Sequence, residues 1–318
     1  MQKILVLGGT GFVGRHLCEK LVQQPWQVTL PTRRSERARH LQSLPFLTVL
    51  ETDVHDEAAL ARIIHGHDAV VNLVAVLHGN QADFERAHVE LPQKLARACA
   101  LAGVRRVVHV SALGAALDAP SMYQRSKARG EQMLQAAGLD LTLLRPSVIF
   151  GAEDRFLNVF AKLQRIFPVI PLAGAATRFQ PVWVEDVATA ILKCLQDRDT
   201  ISQTINLCGP DIFTLKALVQ LAGRLSGVNH GQGRPVISLP LSLGRMQAAL
   251  MSLAPGEPLM SRDNLDSMAV DNVSDGHQPG LKSLGIVPAA LEGVAATYLG
   301  GLGKYQTLQQ LRRAAGRG

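Results

Sequence analysis

Tyr123 and Lys127 stand four residues apart in Tyr123-Gln124-Arg125-Ser126-Lys127. On a helix that spacing puts both side chains on one face. A phenol alone loses its proton near pH ~10. An ammonium group beside it stabilises the phenolate and lowers that value, so Tyr123 is expected to give or take a proton near neutrality. Ser111 lies twelve residues earlier, at the end of an apolar run, and offers a hydroxyl to a substrate carbonyl. The three groups fit reversible carbonyl reduction, with hydride from a nicotinamide and the proton from Tyr123. Other chemistries find no support. His65, His67, His78, His88 and His109 do not fall at metal-ligand spacing. His109 alternates with apolar neighbours and reads as a satisfied core residue. There is no G-x-S-x-G elbow and no P-loop lysine, which removes hydrolase and kinase readings.

A nicotinamide donor needs a phosphate-binding turn, and Gly8-Gly9-Thr10-Gly11-Phe12-Val13-Gly14 has its spacing. Glycine is needed there for a tight turn, for close backbone approach to a pyrophosphate and for tight helix–strand packing. The helix that follows aims its first N–H groups at the phosphates. A site for NAD places a carboxylate ~20 residues past the glycines. Thr32-Arg33-Arg34 stands there instead. Guanidinium groups suit a ribose 2′-phosphate through forked hydrogen bonds, so NADP(H) is the expected cofactor and NAD(H) the second candidate. Asp53, followed by Val54, is placed to meet the adenine edge; a turn or helix-cap aspartate is its other reading.

These groups require a scaffold of alternating strands and helices. Residues 3–7, 27–30, 46–51, 68–75, 104–110 and 139–145 read as strands. Helical spacing covers residues 12–23, 57–65, 84–102 and 121–137, with Gly103 and Gly138 as stops. Near-continuous apolar strands separated by helices mean parallel strands covered on both faces. The expected fold is therefore a doubly wound parallel α/β sheet over residues 1–150, with residues 182–209 adding a helix and a strand. Residues 151–181 and 210–318 form the expected smaller C-terminal α/β cap domain. It holds helices over 156–167 and 214–226, a strand over 236–239 and an apolar-faced helix over 241–253.

At 318 residues the chain has room for about two such units. Its 47% apolar and 19% charged residues are ordinary for a globular protein. Cys18, Cys99, Cys194 and Cys208 are far apart, which excludes a disulfide framework and common zinc modules and fits a reducing compartment. Aromatic residues make up only 4%, so no nucleic-acid partner is expected. The longest apolar run, residues 69–77, is interrupted at Asn72 and falls short of the ~20 residues that span a membrane. A strand beginning at Lys3 leaves no room for a targeting peptide, so a cytoplasmic location is expected. The net charge is +7, and no acidic residue follows Glu292, while Lys304, Arg312, Arg313 and Arg317 do. That tail and the helix over 241–253 motivate an expected weak, salt-sensitive association at the inner-membrane surface.

The turn at 8–14, Asp53, residues 68–75, the Tyr123/Lys127 pair and Arg145-Pro146-Ser147-Val148-Ile149-Phe150-Gly151 together resemble the short-chain dehydrogenase/reductase superfamily, in its extended or atypical branch. The resemblance implies a Rossmann fold. It places Ala75 near the nicotinamide ribose, gives Lys127 a hold on that ribose, and puts Pro146 in the wall beside the nicotinamide. Ser111 departs from the pattern, because extended members carry their active serine in a longer loop before the tyrosine. Ser111-Ala112-Leu113-Gly114-Ala115, Arg178-Phe179-Gln180-Pro181-Val182 and residues 260–268 are similar to one subgroup. It contains the NADPH-binding accessory subunit of respiratory complex I and free-standing bacterial relatives. Two functions follow as expectations. One is an NADP(H)-binding oxidoreductase acting on a small carbonyl, sugar-like or quinone-like substrate, which the intact Tyr123/Lys127 pair favours. The other is an NADPH-binding structural or assembly protein with a respiratory-complex association, which the short Ser111–Tyr123 spacing favours.

Overall fold

In the computed structural model, which describes residues 1–240, 244 and 261–300, runs of β-branched and leucine residues form strands and amphipathic segments form helices. The first part runs β1 (Gln2–Leu7), α1 (Phe12–Leu21), β2 (Trp26–Thr32), β3 (Leu47–Glu51), α2 (Glu57–Ile64), β4 (Ala69–Asn72), α3 (Gln81–Glu85), a π-helical turn (Arg86–Glu90), α4 (Leu91–Ala102), β5 (Arg106–Val110), α5 (Met122–Gln135) and β6 (Asp140–Pro146). Then follow β7 (Ile149–Phe150), α6 (Leu157–Ile166), β8 (Ile170–Ala173), β9 (Arg178–Phe179), β10 (Val182–Trp183), α7 (Val184–Gln196), β11 (Thr204–Leu207), β12 (Phe213–Thr214), α8 (Leu215–Leu225) and β13 (Val236–Leu239). The last described helices are α9 (Arg262–Ser267) and α10 (Leu291–Leu299).

Seven strands form one parallel sheet in the order β11-β6-β5-β4-β1-β2-β3. This is the Rossmann-like doubly wound arrangement. Strand order reverses on either side of β1, so the switch point lies beyond the carboxyl ends of β1 and β4, where such sheets bind ligands. Leu7 pairs with Asn72 and Asn72 with His109, which sets the ends of three strands level. One face of the sheet packs Leu5, Leu7, Val70, Val107, Leu141 and Leu143 against Leu60, Leu95, Cys99 and Leu134 of the helices. Each such side chain contributes about 1.5–3 kcal/mol of burial. Alternate residues of a strand share a face. Asn72, His109 and Ser111 therefore extend this face toward the carboxyl edge and meet the layer built by α4 and α5.

Two elements differ from the sequence reading. The strand expected over 68–75 stops at Asn72, because Asn72 Oδ1 accepts from the Val74 N–H at 3.1 Å and turns the chain away. The single helix expected over 84–102 starts at Gln81, behind an Asn80/Asp83 capping box, and is interrupted by the π turn. Pro92, in the first turn of α4, has no N–H to give to the carbonyl of His88. That carbonyl instead abuts Gly130 of α5, where any Cβ would overlap its oxygen. The stops fall as read, with Gly103 and Gly138 at φ +71° and +64°; in the structure, side-chain caps stand at Ser121 on α5 and Thr214 on α8.

The chain divides into two compact units. The first comprises Met1–Ser147, Val184–Cys208 and Ser274–Pro288; the second comprises Val148–Trp183, Gly209–Val273 and Ala289–Gly318. Residues 274–288, expected in the cap, lie in the first unit. Asn206 of β11 forms a parallel bridge with Gly280, and its N–H donates to the Pro279 carbonyl at 2.8 Å. The second unit is centred on Phe150, Leu157, Leu218, Leu221, Leu291 and Leu299, with two-stranded pairings β7–β10, β9–β12 and β8–β13. The helix expected over 241–253 and the basic tail at 304–317 lie outside the described residues. No helix among the described residues is long and apolar enough to cross a membrane.

Candidate nucleotide and proton-transfer site

The turn after β1 leaves room where a ligand would need it. Gly8 takes φ +79°, and a Cβ on it would come within 3.0 Å of the Leu73–Val74 peptide. A Cβ on Gly14 would overlap Gly9 Cα, so both glycines are required for the backbone to close. Gly11 sits extended at the N-cap of α1 and supplies no side chain, so no side-chain cap covers the first N–H groups at Phe12, Val13 and Gly14. Uncapped N–H groups at the positive end of a helix dipole fit a diphosphate. Thr10 and Gly9 complete the turn.

The groups expected at the adenine end lie along the same carboxyl edge. Arg33 and Arg34 follow β2 and, with Arg37, line a cavity of about 310 Å³. The Thr32 hydroxyl donates to the Arg34 carbonyl at 3.1 Å and fixes this turn. Asp53 follows β3. Its Oδ1 accepts from the His55 N–H at 3.0 Å, and its other oxygen lies 3.9 Å from Arg86, so it holds a turn and keeps one oxygen outward. Val54 packs half-buried against the main core, and Ala75 is exposed after β4. Pro146 is buried at the end of β6, where its carbonyl accepts from Leu113 N–H at 2.9 Å.

Tyr123 and Lys127 lie on one face of α5, whose N-terminus Ser121 caps by accepting from Gln124 N–H at 3.1 Å. Lys127 is 2% exposed, and its Nζ donates to the Val110 carbonyl at 3.0 Å. Burial pushes its ammonium down to about 8, against the pull of Glu131. Burial pushes the Tyr123 phenol up to about 12. This corrects the expected lowering: enclosure dominates, and the Tyr123 phenol is held protonated. Ser111 is buried beside the anchored carbonyl of Val110, and its Oγ meets no hydrogen-bond partner among the described residues.

Three further residues complete the cluster. Asn72 is buried; with its Oδ1 spent on Val74, its amide donates to His109 Nδ1 at 3.1 Å. The proton of His109 therefore sits on Nε2, which has no partner among the described residues. The reading of His109 as a satisfied core residue thus holds at one ring nitrogen only. Burial, reinforced by Lys127, lowers the His109 imidazole to about 3. His88, in the π turn, is lowered by burial, Lys127 and His109 to about 2. Ser126 links His88 to α5. The signals for these residues were faint: Asn72 breaks an apolar run, and His88 follows Phe84 by one helical turn.

A glycine-rich turn at the switch point and a tyrosine–lysine pair on the neighbouring edge mark a Rossmann-type protein of the short-chain dehydrogenase/reductase kind. The chain belongs to the NAD dependent epimerase/dehydratase family, whose model matches residues 4–208. It is 35% identical over 294 residues to "NADH dehydrogenase [ubiquinone] 1 alpha subcomplex subunit 9, mitochondrial" of Mus musculus, covering 90% of this chain and 77% of that one. It is 28% identical over 190 residues to a "Ceramide reductase" of Caulobacter vibrioides, covering 59% of each. Among solved structures, "MoeE5 in complex with UDP-glucose and NAD" shares the fold with a TM-score of 0.71 at 20% identity, covering 96% of this chain and 99% of that one.

Proposed function

We propose that the chain is an NADP(H)-dependent oxidoreductase that reduces a small carbonyl, sugar-like or quinone-like compound. The observation that carries this reading is the Tyr123 phenol, held neutral by burial, on the same face of α5 as Lys127, whose Nζ is anchored to the Val110 carbonyl at the carboxyl end of β5. A bound reduced nicotinamide supplies hydride. Tyr123 supplies the proton to the carbonyl oxygen, and burial keeps the phenol in the protonated form that the reductive direction requires. Lys127 holds the ribose and keeps positive charge beside the phenol. The turn at 8–14 receives the diphosphate, Arg33 and Arg34 the 2′-phosphate, Asp53 and Val54 the adenine, and Ala75 and Pro146 flank the nicotinamide. Within this reading the second unit serves as the substrate-holding cap.

A second reading is favoured by Ser111, whose hydroxyl is buried rather than open to a substrate, and by the 35% identity to a complex I subunit. In it NADPH is a structural ligand, and the chain joins a respiratory complex or a membrane surface as a peripheral protein. One experiment separates the two. The purified chain is analysed by mass spectrometry for copurified nucleotide, then NADPH absorbance is followed as aldehydes and quinones are added. Bound NADPH that no carbonyl oxidises supports the structural reading.

A further inference from the structure

We propose that His88 is the positioning residue for Tyr123: through Ser126 it fixes the first turn of α5, and its ring flanks the phenol. The proposal rests on the reading of Tyr123 as the proton donor.

The hydrogen bonds around His88 run in one forced direction. Val76 N–H donates to Nε2 at 3.1 Å, so that nitrogen carries no proton. The proton therefore sits on Nδ1, which donates to Ser126 Oγ at 2.9 Å. Ser126 Oγ in turn donates to the Tyr123 carbonyl at 2.8 Å. Both ring nitrogens are thus spent on the two segments that bracket the site: the residue after Ala75, and the helix that carries Tyr123 and Lys127. The His88 ring also stands edge-on to the Tyr123 ring, with centroids 5.4 Å apart at 83°. Phe84 stacks on His88 with centroids 5.7 Å apart and meets Tyr123 edge-on at 6.1 Å, so the three rings form a closed triangle. A histidine serving only as core filling has no need of this arrangement. Here the π turn ahead of Pro92 supplies an extra residue, and the backbone of His88 lies against Gly130. Such bulges often mark functional positions in helices.

Two substitutions separate position from bulk. His88→Leu keeps an apolar side chain but breaks the relay at both ends. His88→Gln can accept from Val76 with its carbonyl and donate to Ser126 with its amide. The first readout is nitration of Tyr123 by tetranitromethane in the full chain, followed by peptide mass spectrometry. Nitration needs phenolate, so an enclosed phenol is protected. His88→Leu is expected to nitrate about tenfold faster at Tyr123, the scale of one lost hydrogen bond, and His88→Gln at the wild-type rate. Ser126→Ala, the milder change, is expected to fall between them. The second readout uses NADPH with 9,10-phenanthrenequinone as the probe. There His88→Leu should lower kcat about tenfold or more and leave the NADPH Kd within about twofold, with His88→Gln restoring kcat. Unchanged nitration in both His88→Leu and Ser126→Ala, or failure of His88→Gln to restore protection, overturns the proposal. A wild-type chain that binds NADPH but reduces no probe overturns the reductase reading alone. Altered nitration would then still support the role of His88.

Discussion

Lys127 Nζ donates to the carbonyl of Val110 across 3.0 Å, tying the Tyr123/Lys127 face of α5 to the last residue of β5. One N–H of the ammonium is used there, and two remain for other acceptors. The two members of the pair therefore have separable duties. Tyr123→Phe removes only a hydroxyl, and its NADPH Kd is expected to stay within about threefold of wild type, while any carbonyl reduction falls ~100-fold or more. Lys127→Ala is expected to weaken NADPH about tenfold as well. Fluorescence titration and steady-state rates check both. An unchanged rate in Tyr123→Phe would remove it from the chemistry.

Among the described residues, the cavity is lined by Arg33, Arg34 and Arg37, with no carboxylate. NADPH is expected to bind at least about tenfold tighter than NADH, a difference of ~1.4 kcal/mol that one charge-assisted contact can supply. The double variant Arg33→Ala/Arg34→Ala should bind both cofactors alike. Titration of each cofactor into apoprotein decides the matter, and equal affinities in the wild type would contradict it.

Acid should destabilise this chain through its buried imidazoles. Burial first, then Lys127, holds His109 neutral down to about 3, and His88 stays neutral to about 2. Unfolding returns both toward their ordinary value of 6.5. Below that pH the unfolded chain binds protons that the folded chain refuses, so stability falls as pH drops. Each imidazole is expected to contribute roughly 1 kcal/mol per pH unit below about 6.5. Urea unfolding at pH 6.5 and 5 measures the slope. His88→Gln should be less sensitive by the contribution of one imidazole; identical slopes in the two proteins would refute the assignment.

The glycines of the first turn should separate folding from binding. Gly14→Ala drives a methyl into Gly9 Cα, a backbone clash that no rotamer relieves. It is expected to cost about 2 kcal/mol or more and to abolish stabilisation by NADPH. At Gly11, φ is −77° and a Cβ would meet only the Gly8 carbonyl, at 3.2 Å. Gly11→Ala should therefore melt within a few degrees of wild type yet lose NADPH affinity, because its methyl crowds the uncapped N–H groups. Thermal melts with and without NADPH read both variants.

Local rules made the sheet legible. Apolar runs gave β1, β2 and β5 close to their bounds, and Gly103 and Gly138 marked real helix ends. Residues 121–127 could be read because helical spacing and a four-residue separation are both local. The Asn72–His109 bond could not, since it depends on the register that sets Leu7, Asn72 and His109 side by side. The π turn was hidden for a related reason: the spacing over 84–102 reads as one helix, and the consequence of the N–H missing at Pro92 appears only where Gly130 approaches. Tyr123 was misjudged in pKa because sequence reveals the ammonium but not the depth at which both groups are buried.

The first unit is stitched from three stretches of chain, and this has a cost during synthesis. Asn206 reaches its bridging partner, Gly280, only after seventy-four further residues have left the ribosome. At typical elongation rates that delay is about 4–15 s. Throughout it the outer edge of β11 is an open row of peptide groups, free to pair with a neighbouring nascent chain. Slow translation or crowded polysomes should therefore favour aggregates seeded at Thr204–Leu207, and a chaperone that shields an extended edge should raise the yield of this chain more than one that shields loose apolar side chains.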